Sequence, residues 1–315
     1  MPRMPSVRYP RSRAGFTLVE LLVVITIIAV LMGLLLPALN GVRESGRQTV
    51  CRNNQYQLAF AAIRHAEQNG FVPGWRNTGP AGGTSPWTIM LLPFIERNDI
   101  YRTVDATGIV PVANAAFVTT FVCPSSPPDS QTGPTLAYAG NCGAVQNTRR
   151  FEGVMLDTST TSGRLAMDEI ASADGTAYTL VLSEKCGPGG PENTVPASWN
   201  MQISGFIVPG PMGNINRQLS ASFGLSGSPP AGKIINSGTA AHPGLWSQPA
   251  SNHPGGVVAA FCDGHTEFLK DSLQAPVYAQ LCSWDHANAI TASGSTGSYG
   301  TWTGAYRVLN EGDYK

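Results

Sequence analysis

Glu20 is the residue whose position most needs a chemical reason. It lies four places after Phe16 and directly ahead of an apolar run, Leu21 to Leu36, interrupted only by Thr26 and Gly33. A carboxylate inside such a segment costs on the order of 2.5–3.5 kcal/mol at mid-helix and less near an end, so it marks a function and needs a partner. Upstream, residues 1–15 carry Arg3, Arg8, Arg11 and Arg13 and no acid. A plain membrane anchor leaves Glu20 unexplained. A secretory signal should end in small residues of the A-x-A kind, whereas this run ends Leu34-Leu35-Leu36-Pro37-Ala38-Leu39. No cysteine follows closely enough to serve as a lipoprotein anchor.

The other reactive residue types form weaker patterns. Cys51, Cys123, Cys142, Cys186, Cys262 and Cys282 include no C-x-x-C pair, which argues against a zinc knuckle or a thioredoxin-type redox motif. Outside the cytoplasm, disulfides become permissible. A Cys51–Cys123 bridge tying the N-terminal helix to the first strand would add about 2–4 kcal/mol. Free buried thiols are the alternative. His242, His253, Asp263 and His265 fall near one C-terminal hairpin, and the side chain of His265 could approach Asp263 across the turn. Their spacing fits no zinc or iron pattern, and no D-x-D-x-D-G calcium loop is present. No metal and no cofactor are therefore expected. Gly224-Leu225-Ser226-Gly227-Ser228 fails the nucleophile-elbow pattern at its last residue, and no catalytic residue is assigned. Trp75, Trp87, Trp199, Trp246, Trp284 and Trp302 could stack on sugars, but core filling is the better expectation.

The elements that would position these residues follow from composition and period. The chain has 315 residues, zero formal net charge and 13% charged residues, about half the usual share. That argues against a nucleic-acid binder, which needs a basic surface. Its mean hydropathy of -0.03 makes any membrane segment local. Phe16 to Leu36 matches the ~20 residues needed to cross ~30 Å of hydrocarbon, and the leader arginines place the rest of the chain outside. Small or apolar residues then recur at Val42, Gly46, Thr49, Tyr56, Phe60 and Ile63, predicting the helix face that packs on a globular head. Gly70 and Pro73 should stop a helix about 75–80 Å long.

Beyond the helix, the 35 Gly and 24 Pro predict a loop-rich body. Trp87–Ile95 reads as a short helix and Phe117–Val122 as a strand ending at Cys123-Pro124. Tyr178–Leu182 reads as a buried strand, and Val257–Cys262 and His265–Leu269 as a hairpin turning on Asp263-Gly264. The stretch 292–304 reads as loop. The fold class is α+β: a long N-terminal helix packed on an antiparallel sheet, with an elaborated loop-rich head. The domains are a basic leader over 1–15, a helix over 16–68 that is transmembrane over about 16–37, and a head over 69–315.

The stretch Gly15-Phe16-Thr17-Leu18-Val19-Glu20-Leu21-Leu22-Val23-Val24-Ile25 resembles the processing and methylation motif of type IV prepilins and type II secretion pseudopilins. The resemblance implies cleavage between Gly15 and Phe16 by a prepilin peptidase and N-methylation of the new amine on Phe16. It also implies pairing of Glu20 with the Phe16 amine of a neighbouring subunit. Pro37 sits where pilins often carry a helix-loosening proline. Cys51-Arg52-Asn53-Asn54-Gln55, Leu91-Leu92-Pro93-Phe94-Ile95-Glu96, Phe121-Val122-Cys123-Pro124-Ser125 and Ser251-Asn252-His253-Pro254-Gly255-Gly256 through Asp263-Gly264 further resemble a pilin-like family abundant in planctomycetes. Its head is catalogued as domain of unknown function 1559. Family membership suggests architecture and location and supplies no activity.

The function expected is structural: a minor pilin or pseudopilin in a type IV pilus or a type II secretion-type filament. The expected partners are prepilin peptidase, other pilin subunits through the N-terminal helix, and the lipid bilayer before assembly; nucleic acid is not among them. The expected location is the inner membrane, single-pass with the head outside, and then the periplasm or a cell-surface filament. The alternative is an anchored adhesion module displaying a ligand- or glycan-binding head.

Overall fold

The computed structural model describes residues 15–111, 114, 116–126, 136–141, 151, 153–159, 163–184, 235–236, 249–288, 309 and 311–314. The leader arginines, Cys142, Cys186, Trp199, Trp246, Trp302, His242 and the stretch 292–304 lie outside these residues. The chain divides into two compact units, one ending at Ser45 and one starting at Gly46.

The first unit is helical. Helix α1 spans Leu18–Asn69 and continues into the second unit. Its opening turns leave their apolar side chains uncovered: Leu18 is 78% and Leu36 64% exposed. Thr26, the polar break in the run, donates its hydroxyl to the Val23 carbonyl at 2.8 Å, so the side chain is satisfied within the helix. Among the described residues, α1 alone is long and apolar enough to cross a membrane.

In the second unit α1 becomes part of a packed core. Its buried residues are Cys51, Gln55, Leu58, Ala59, Ala61, Ala62, His65 and Ala66. This inward face differs from the predicted one, because Val42, Tyr56 and Phe60 are exposed. The aromatic rings instead stack on each other at 6.1 Å, with the Arg64 guanidinium 5.2 Å from the Phe60 ring. Small alanines face inward here, and a pattern weighted towards large apolar residues misses them. Gly70 ends the helix as expected. Its φ of 81° suits glycine, and its N–H bonds the Ala66 carbonyl at 2.7 Å.

After a small hairpin of β1 (Asn77–Thr78) and β2 (Thr84–Ser85) come α2 (Trp87–Leu91), a 3-10 turn (Leu92–Ile95) and α3 (Asn98–Tyr101). The expected short helix at Trp87–Ile95 is therefore present in two pieces, divided where Pro93 enters. Phe117–Val122 is no strand: Thr119–Phe121 forms a 3-10 turn. The carbonyl of Val122 accepts from Asn54 Nδ2 at 3.0 Å and Tyr138 Oη at 3.3 Å, so side chains take the place of a neighbouring strand. Phe121 is fully buried and meets Trp87 edge to face at 6.2 Å.

The main sheet has four antiparallel strands in the order β3 (Tyr138–Gly140), β4 (Leu180–Glu184), β5 (Gly256–Phe261) and β6 (Thr266–Lys270). Helix α4 (Met167–Ser172) precedes β4, and α5 (Ala275–Cys282) follows β6. Alternate residues of β5 serve two cores. Val258 and Ala260 join Leu58, Ala59 and Ala62 of α1, while Val257, Ala259 and Phe261 join Tyr278 and Leu281 of α5. Covering both faces explains why β4 and β5 are buried without alternation. The β5–β6 hairpin turns through Cys262-Asp263-Gly264 rather than through Asp263-Gly264 alone. Phe261 N–H bonds His265 O at 3.0 Å, and of the loop residues only Gly264 takes a positive φ, 93°. This is a three-residue loop with a bulge, which needs one glycine and no primed turn.

Candidate functional site

Two places gather the residues singled out above, and each lies within one unit. At the start of α1, Gly15, Phe16 and Thr17 precede the first helical residue and are exposed. Thr17 and Glu20 cap the helix reciprocally. The Thr17 N–H and hydroxyl both donate to Glu20 Oε2 at 2.8 Å, and Glu20 N–H donates back to Thr17 Oγ1 at 3.2 Å. Thr17-Leu18-Val19-Glu20 is thus a T-x-x-E capping box, a local role for Glu20 that its apolar surroundings obscured. The carboxylate accepts at the positive end of the helix dipole. Pro37 lies within α1.

The second place is in the core of the globular unit. Cys51 comes from α1, Cys123 follows the 3-10 turn, Glu184 ends β4 and His253 precedes β5; all four are buried. Cys51 Sγ donates to Glu184 Oε1 at 2.7 Å, and His253 Nε2 lies 3.1 Å from that oxygen. Cys123 Sγ is 3.6 Å from His253 Nε2, and Tyr138 Oη is 3.2 Å from Cys51 Sγ. The second carboxylate oxygen, Oε2, accepts from Val258 N–H at 2.8 Å. Burial raises the Glu184 carboxyl above its ordinary range, opposed by its hydrogen bond with His253. The Cys51 thiol is pushed far up, first by its hydrogen bond with Cys123, then by burial and by the Glu184 charge.

The expected Cys51–Cys123 pair is therefore brought together, as thiols in a polar cluster and with no disulfide between them. The histidines weighed near the C-terminal hairpin do not form one group among the described residues, His242 lying outside them. His265 Nδ1 does meet Asp263 Oδ1 at 2.6 Å, with its ring stacked 4.2 Å from Phe261, but His253 is buried with Glu184 instead. Glu184 was absent from every sequence expectation, because nothing at the end of a buried strand announces a carboxylate's partners. Trp75, Trp87 and Trp284 are all core residues, as expected of most tryptophans here.

An exposed apolar helix opened by a processing-type motif, followed by a helix-on-sheet body, defines a pilin-like protein with a membrane-anchoring N-terminus. The prokaryotic N-terminal methylation motif matches residues 10–36. The model described as "Protein of unknown function (DUF1559)" matches residues 41–275, most of the chain, and the protein belongs to that family. No curated protein and no solved structure matches it.

Proposed function

We propose that the chain is a structural subunit, a minor pilin or pseudopilin, of a type IV pilus or type II secretion-type filament. Prepilin peptidase cleaves it between Gly15 and Phe16, and the new Phe16 amine is methylated. Before assembly, residues 16–37 hold it in the inner membrane with the globular body outside. During assembly the surface from Leu18 to Leu36 moves from lipid into a filament core made of like helices. The role is structural and not catalytic.

One observation carries this reading: the methylation motif coincides with an apolar helix surface that stands exposed among the described residues. Such a surface requires lipid or other apolar helices around it. Glu20 supplies the register. Cleavage creates a cation near a carboxylate, and in low dielectric that attraction is far stronger than in water. The Thr17 cap satisfies Glu20 within its own helix until a neighbour's amine arrives.

The test is to follow Gly15→Val and Glu20→Ala chains in cells that assemble filaments. G15V should retain its leader, read by intact mass, while E20A should be processed but absent from sheared filaments. Wild-type protein recovered with Met1 attached would overturn the processing step, and E20A filaments in normal yield would overturn the assembly role.

A further inference from the structure

We propose that Cys51, Cys123, Glu184 and His253 form a closed four-ligand site for a zinc-class divalent metal ion, which ties α1 to the sheet. The ligand atoms of these four buried residues all lie within 4.8 Å of one another. A tetrahedral zinc ion has Zn–S bonds of about 2.3 Å and Zn–N or Zn–O bonds of about 2.0–2.2 Å, which sets its donors roughly 3.3–3.8 Å apart. The separations of 3.6 Å from Cys123 to His253 and 3.1 Å from His253 to Glu184 are close to that range. The contact of 2.7 Å from Cys51 to Glu184 is shorter and would open as the ion enters.

The chemistry of the donors selects the ion. Thiolates with an imidazole suit zinc and its neighbours, whereas magnesium and calcium want oxygen ligands. Four protein ligands leave no position for substrate, so the site is structural and not catalytic. Without an ion, two neighbours compete for the single ring nitrogen Nε2, and two crowd Oε1 of a carboxylate with no exposed surface. A cation at the centre replaces that proton sharing with one set of bonds and compensates the buried carboxylate.

The surrounding groups fit the same purpose. Val258 N–H fixes the free oxygen of Glu184 and so orients the other towards the centre. Tyr138 Oη lies where it can turn its one proton from the Val122 carbonyl to a Cys51 thiolate, and Asn54 Nδ2 holds that hydroxyl from behind at 3.4 Å. His253 is positioned by its own N–H, which donates to Ser251 Oγ at 3.0 Å. The four ligands come from segments far apart in sequence, and a clip that closes long loops removes much unfolded-state freedom. In an oxidising compartment, ligation also explains how two adjacent thiols escape pairing.

The experiment uses the full-length chain purified in detergent without chelator, and it stands whether or not the protein assembles into filaments. Elemental analysis should find about one zinc per chain. Replacing zinc with Co2+ should give a thiolate-to-cobalt charge-transfer band and the intense visible bands of tetrahedral cobalt. Chelation should lower the wild-type melting temperature. C51S/C123S should lose the zinc and the cobalt bands, and H253N should weaken retention by about 10-fold or more. Should the variants not fold, the wild-type cobalt spectrum and the chelation shift still decide. A Cys51–Cys123 disulfide in metal-free protein would overturn the proposal. So would reduced thiols that give no cobalt band, or stoichiometric zinc retained by C51S/C123S.

Discussion

The two units of this protein handle apolar surface in opposite ways. Up to Ser45 the helix turns almost every large apolar side chain outward; from Gly46 onward Trp87, Phe121, Leu58 and Phe261 are fully buried. The difference shows which unit can be complete by itself. A core that closes on its own residues gains the full benefit of burial in water, whereas the outward helix gains it only from lipid or from other helices. The sharpest way to break this contrast is a matched pair of truncations. Trp87→Ala should cost about 3–5 kcal/mol, through lost burial and the cavity beside Phe121. Ile28→Ala, at a position 48% exposed, should shift the melting of the globular unit by no more than about 0.5 kcal/mol. Comparable losses in both variants, measured by denaturant titration in the same detergent, would show that the apolar helix supports the fold after all.

A smaller test sharpens the same contrast at the helix start. Thr17→Ala removes one side of the capping box and should destabilise the first turn by about 1 kcal/mol. The expected signature is faster amide exchange confined to Leu18–Leu21, with the globular unit unmoved. Glu20 would then keep only the backbone N–H of residue 17 as its local donor before assembly, and protected amides in that turn would show that the hydroxyl half of the box contributes little.

The outward helix was legible in the sequence because its signals are local: a basic leader, an apolar run and one misplaced acid fall within a few turns of each other. The sheet was partly legible, since β4, β5 and β6 each carry their β-branched and apolar residues in one stretch. The strand expected at Phe117–Val122 failed because its carbonyl groups find Asn54 and Tyr138, partners that no local pattern announces. The inward face of α1 failed because alanines mark it while Tyr56 and Phe60 point away. The buried cluster was the least legible. Its members come from a helix, a turn, a strand end and a loop, so no ligand spacing exists to be read. Cys51, Cys123 and His253 do each sit in a stretch that carries the family resemblance. Glu184 had no such flag and appears only when β4 pairs with β3, placing it opposite Tyr138.

The smallest effect expected is a pH response inside the globular unit, where two titrations oppose each other. Burial lowers the His286 imidazole to about 4 and raises the Asp174 carboxyl to about 6, while Asp174 Oδ2 accepts from the His286 N–H at 2.6 Å. For His286 the unfolded chain binds the proton first, so its contribution to stability is lost as pH falls from about 6.5 towards 4. For Asp174 the folded chain holds the proton longer, so stability is lost as pH rises from about 3.8 through 6. The wild type should therefore show little net slope from this pair. Asp174→Asn, which keeps an acceptor for the N–H, should gain stability relative to wild type as pH rises through that window. His286→Gln should gain as pH falls. The Asp174→Asn difference should stay below about 1 kcal/mol, because Asp174 is partly solvated and water screens its charge. Melting curves at matched ionic strength would read the two slopes, and slopes of the same sign would show that the groups do not oppose one another.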